Sequence, residues 1–197
     1  MKEDVLEQIV DDYLQLQGYF TRHNVRFGPP PVQGTPTQSR SDLDVIGYHP
    51  CPRSGEPRVV VVSCKAWQEG LKTMQELGAL VKDGKSHGRR ARWGFRELWY
   101  PDWSAALHET VRELTGESMF VYRIAVTRLR GTATAVAWAE EPTIKQNLRG
   151  CSFSFLTLED MWTFMLRELT TTPAPSEIGR LAQLLRAAGL NVASVAP

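Results

Sequence analysis

The stretch VVVVSCK, residues 59–65, constrains this chain more than any other. Consecutive β-branched side chains are stiff at χ1 and suit a pleated surface, and a run with no polar break reads as a buried strand. The run then ends in Ser63, Cys64 and Lys65. Side chains alternate along a strand, so Ser63 and Lys65 share one face and Cys64 takes the other. Just upstream, LDVIGYH is a second strand, joined to the first through the turn-forming cluster PCPRSGEP, and the two are expected to pair antiparallel. Asp42 and Asp44 share a face of that strand, so one side of the hairpin can gather carboxylate and ammonium groups.

The rest of the chain alternates helical and extended patterns. Leu6, Ile9, Val10, Tyr13 and Leu14 form an apolar stripe that ends at Gly18, a first helix with Glu7 at the stripe's border. YFTRHNVRFG is extended, and PPPVQGTPTQSR offers nothing to a core and reads as a loop. Helical spacing returns over 71–82 and 104–116; SMFVYRIAVTRL and TATAVAW read as strands. A Thr157–Asp160 spacing resembles a capping box, and a last helix opens at Ser176 and stops at Gly189. The expectation is an α/β fold with a central mixed sheet flanked by helices, in a single domain over 1–197, with core motifs in 5–80 and the helices of 157–190 packed on it.

Composition excludes more than it selects. The net charge is +1, with 23 basic and 22 acidic residues, so an anion site must come from local clustering. Three cysteines far apart, with no CxxC spacing, argue against a disulfide framework or a zinc knuckle. No stretch reaches the roughly 18 apolar residues of a membrane span. The chain is read as soluble, cytoplasmic and without membrane contact.

Taken together, these residues resemble the PD-(D/E)XK nuclease superfamily, the restriction-endonuclease-like group that includes resolvase and Mrr-type enzymes, over roughly residues 5–80. Glu7 precedes Gly18-Tyr19-Phe20 as the helical glutamate of resolvase-like members precedes its GY or GF. LDVIG is similar to the family's aspartate element, which points to Asp44. SCK followed by Ala66-Trp67 is similar to the (D/E)XK element, which points to Lys65, with Ser63 where the family carries an acid. Gln75 is similar in placement to a glutamine of such nucleases. The resemblance implies Mg²⁺ or Mn²⁺ held by Glu7, Asp44 and the carbonyl of Cys64, with Lys65 assisting the nucleophile and Ser63 touching metal-bound water. It also implies that Glu69 or Glu76 can supply the displaced carboxylate, and it requires Glu7, Asp44 and Lys65 to converge in one cleft. The implied activity is DNA phosphodiester cleavage, in a homodimer or a larger defence or repair assembly. The alternative is an inactive relative that binds DNA or a partner protein.

Residues 82–103 combine six lysines and arginines with Trp93, Phe95, Trp99, Tyr100 and Trp103. Cations neutralise phosphates and aromatic faces stack on unpaired bases, so Lys85, Arg89, Arg90 and Arg92, with Gln75, are the expected nucleic-acid contacts. A solvated charged loop beside tryptophans that seal a core edge fits the same pattern.

Overall fold

A computed structural model describes residues 4–30, 40–82, 91–170 and 173–189 of the chain. The valine run is β3 (Val59–Lys65), the centre of a five-stranded sheet, and Val59 to Val62 have no exposed surface. The sheet runs β1 (Phe20–Phe27), β2 (Ser41–Tyr48), β3, β5 (Val121–Val126), β7 (Ser152–Thr157). β1 and β2 pair antiparallel, as do β2 and β3, the latter as the turn cluster predicts, and β3, β5 and β7 are parallel. Parallel neighbours need long crossovers, and these carry helices that bury one face. They are α2 (Thr73–Val81), α3 (Arg96–Trp99), α4 (Pro101–Thr115), α5 (Ala135–Ala139) and α6 (Pro142–Leu148). The opposite face is covered by α1 (Val5–Leu16), α7 (Leu158–Glu168) and α8 (Glu177–Ala187). The fold is therefore α/β, with a mixed sheet between helical layers, and each layer closes its own apolar core.

Several local signals act as the sequence suggests. The Thr157 hydroxyl accepts from the Asp160 N–H at 3.1 Å, and the Asp160 carboxylate accepts from the Thr157 N–H at 3.0 Å, a reciprocal capping box. Ser176 caps α8, and Gly189 beyond it has a φ of 74°. The predicted strand over 132–138 is a correction. Thr134 instead caps α5, accepting from the Ala137 N–H at 3.2 Å. Alanine favours that short helix, and Val136 faces solvent while Trp138 is fully buried against Phe95 and Phe153. The helix expected from residue 71 starts at Thr73, because Leu71–Lys72 form β4, a short parallel pair with β6 (Leu129–Arg130). The helix expected from residue 104 starts three residues earlier, with Pro101 in its first turn. Patterning does not announce α6 or β7.

β2 changes face in mid-strand. Val45 belongs to the core under α1, whereas Leu43 and its partner Val25 belong to the other core. The switch falls between the pairs His23–Val45 and Val25–Leu43, where Asn24 takes a φ of 50°, a conformation asparagine tolerates better than most residues. Asp44 occupies that break.

Candidate functional site

The β2–β3 ladder runs from Tyr48–Val59 to Val45–Val62 and goes no further. Past that point the strands part, and the Asp44 side chain takes over from the backbone: its Oδ2 accepts from the Cys64 N–H at 2.5 Å. The N–H and C=O of a strand residue point to the same side, so the Cys64 carbonyl also faces the gap. The gap opens into a cavity of about 260 Å³ lined by Ser41, Asp42, Asp44, Ser63, Lys65 and Glu97, with Cys64 and Arg96 at its wall. It lies at the carboxyl end of β3, where ligands of open α/β sheets commonly bind.

Asp44 and Lys65 thus meet in one cavity. The Lys65 ammonium lies over the Phe95 ring, 5.7 Å from its centroid. Ser63, 6% exposed, lies near both the Asp44 carboxylate and the phenol of Tyr122, and its hydroxyl favours the charged form of each. Burial raises the Asp44 carboxyl above its ordinary range; the Cys64 N–H, the Lys65 ammonium and the Ser63 hydroxyl pull it back, and the nearby Glu97 charge adds to the rise. Cys64 points into the opposite core, and burial, then the Asp44 and Glu7 charges, push its thiol well up.

Glu7 does not meet the convergence that the resemblance requires. Helix α1 packs on the face opposite Ser63 and Lys65, and Glu7 is not among the residues lining the cavity, although its charge reaches Cys64. Neither glutamate expected to replace the missing acid lines the cavity. Glu69 is 74% exposed and ion-paired with Lys72 at 3.1 Å, which lowers its carboxyl, and Glu76 lies on α2 outside the lining. Gln75 is exposed on the same helix. Asp42 lines the cavity, with its carboxylate 4.0 Å from Arg26.

The residue that sequence reasoning missed is Glu97. It stands on the single turn α3, is 6% exposed, and accepts a hydrogen bond from the Tyr122 hydroxyl. Burial keeps that phenol protonated and available as a donor. The α3 turn is anchored by Asn147, whose amide donates to the Leu98 carbonyl at 2.9 Å, and the Asn147 carbonyl accepts from Ser104 at 2.7 Å. The only sequence signal for Glu97 was its place between aromatic residues, in a segment read for its cations.

Of the expected nucleic-acid contacts, Lys85, Arg89 and Arg90 lie outside the described residues. Arg92 donates to the carbonyls of Leu80 and Lys82 at 2.9 and 3.2 Å and lies over Trp99, so its guanidinium ties down the end of α2. Among the described residues no group of three or more His, Cys, Asp and Glu side chains is arranged to hold a metal ion, and no helix is long and apolar enough to cross a membrane. Comparison with protein-family models, curated proteins and solved structures finds no match to this chain.

Proposed function

We propose that this chain is a metal-dependent nuclease, cutting DNA phosphodiester bonds, in which Glu97 supplies the second carboxylate of the site; without Glu7 in the cavity the requirement of the PD-(D/E)XK resemblance is not met, and the proposal stands on the cavity itself. One observation carries the reading: a carboxylate at the parting of β2 and β3, a lysine on the same face and a second, buried carboxylate all border one small polar cavity. The reading rests on Asp44, Glu97 and Lys65 and no longer on Glu7.

The donor set fits a hard ion. The gap presents the carboxylates of Asp44 and Glu97 and the Cys64 carbonyl, all oxygen donors, while the protonated Cys64 thiol points away. Mg²⁺ or Mn²⁺ keeps several waters and needs only one or two protein carboxylates. When bound, such an ion acidifies water and neutralises charge on the scissile phosphate. The chain's own groups do the positioning. Lys65, held over Phe95, offers its ammonium to a phosphate oxygen; Ser63 orients Asp44, and Tyr122 orients Glu97.

A second reading, a nuclease-derived module that binds DNA or a protein without cutting, is favoured by the lack of a three-acid cluster among the described residues and by the raised Asp44 carboxyl. Cleavage of a DNA panel by wild type, Asp44→Asn and Glu97→Gln, with and without Mg²⁺ or Mn²⁺, separates the two. Product that disappears with the metal and with either substitution supports the enzyme. Product equal in every lane is contamination, and metal-independent binding without product supports the module.

A further inference from the structure

Arg96 borders the same cavity but belongs to no part of the mechanism above. Its guanidinium lies over two indoles, 5.1 Å from the centroid of Trp93 and 5.1 Å from that of Trp103. It donates to the Trp93 carbonyl at 2.9 Å and to the Ser41 hydroxyl. A guanidinium carries five N–H donors, so these two partners leave it spare capacity, and its buried Nε has no partner among the described residues. No ion pair joins Arg96 to a carboxylate among those residues, and the cavity's Asp42 faces Arg26 instead. A cation held by aromatic faces and hydrogen bonds, with donors left over beside a small polar cavity, is preorganised for an anion.

Trp93 is the second observation. Its indole meets Trp103 edge-on at 5.8 Å yet stays 52% exposed, against 6% for Trp103. A large exposed aromatic beside an arginine with spare donors is the pairing that single-strand binding surfaces use: charge for the backbone, a ring for an unstacked base. Trp67, 38% exposed, leaves β3 two residues after Lys65 and packs against Phe95, putting another accessible indole next to the lysine. In continuous duplex the base faces are already stacked on one another and closed to such a ring.

We propose that Arg96 and Trp93 form a nucleotide clamp at this cavity, the guanidinium on a backbone phosphate and the indole stacked on an unpaired base, so that the substrate is a single-stranded or unpaired DNA segment. The proposal rests on the nuclease reading for the identity of the strand and deepens it by naming the substrate class. The assay is fluorescence anisotropy of a fluorescein-labelled DNA strand and of its duplex, titrated with full-length protein in EDTA, so that binding is read without cleavage. Wild type should prefer the single strand. Trp93→Ala should weaken that binding by about 5- to 150-fold, the range for loss of one stacked base, with duplex binding little changed, and Trp93→Phe should restore most of it. Arg96→Gln should lower the magnitude of the single-strand salt slope by about 0.7, one phosphate contact. Thermal melts confirm that each variant is folded; the pair Trp93→Ala and Trp93→Phe carries the test if Arg96→Gln is not. Single-strand affinity and salt slope unchanged in folded Trp93→Ala and Arg96→Gln overturn the clamp. If wild type cuts duplex with Mg²⁺ and the Trp93 variants cut it equally well, the nuclease reading stands and the clamp falls. If Trp93-dependent single-strand binding occurs with no metal-dependent cleavage, the clamp stands and the nuclease reading falls.

Discussion

The hydrogen bond from Tyr122 to Glu97 offers the sharpest test of the site, because it joins two buried groups 25 residues apart. Tyr122→Phe removes only the hydroxyl and keeps the ring, which lies 6.3 Å from Phe153 in near-parallel stacking. The acceptor is 6% exposed, so little water is at hand to replace the lost donor. A hydrogen bond to a charged group contributes about 1.5–3 kcal/mol, and leaving such a group short of a partner keeps the cost near the top of that range. For a chain of this size each kcal/mol shifts Tm by about 2–4 °C, so Tyr122→Phe should lower Tm by about 3–12 °C. The assay is urea denaturation of wild type, Tyr122→Phe, Glu97→Leu and the double variant, closing a mutant cycle. The coupling should fall at about 1.5–3 kcal/mol with m values unchanged. If Tyr122→Phe costs the same in the Glu97→Leu background as in wild type, the two side chains do not interact, and Glu97 loses the contact that orients it toward the cavity.

Other expectations follow from the same geometry. Because its folded carboxyl titrates above the ordinary 3.8, Asp44 binds more protons folded than unfolded between the two values, so its contribution is lost as pH rises through the folded pKa. Asp44→Asn should therefore be more stable than wild type at pH 7, by about 0.5–2 kcal/mol, with the gain vanishing below about pH 3.8, as pH-resolved thermal melts would show. Ser63→Glu adds a buried carboxylate to a cavity that already holds Asp42, Asp44 and Glu97; it should lower Tm in EDTA and recover part of the loss in Mg²⁺ by mass action, whereas identical melts in both conditions would count against an ion site. Asn147→Ala frees the Leu98 carbonyl and should cost about 1–3 kcal/mol in urea denaturation, with cleavage reduced more than single-strand binding. Trp138→Ala empties the contact between Phe95 and Phe153 and should cost about 3–5 kcal/mol.

Much of the sheet was legible because strand signals are local. Val59 to Val62 favour a strand by their own χ1 stiffness, PCPRSGEP turns the chain back, and period two alone places Ser63 and Lys65 together. The capping residues Thr157, Asp160 and Ser176 work for the same reason: their partners lie within one turn. TATAVAW misled because five or six small residues satisfy either period, and Thr134 as a cap with Trp138 as an anchor decides for helix only once Phe95 and Phe153 are there to receive the indole.

The site divides along the same line. Ser63 and Lys65 share a face by period two alone; that Asp44 joins them is decided by the β2–β3 register, and the break in the β1–β2 pairing at Asp44 coincides with Asn24, from a third strand, in a left-handed φ. Glu7 looked eligible because an amphipathic border position says how a residue sits on its own helix, not which face of the sheet that helix will cover. Glu97 was indistinguishable from a solvated acid in a charged segment. It becomes a buried carboxylate because Tyr122 from β5 supplies its hydrogen bond, Asn147 from α6 holds its turn and Phe95 closes the core beneath it, and contacts so distant along the chain leave no period for a sequence to display.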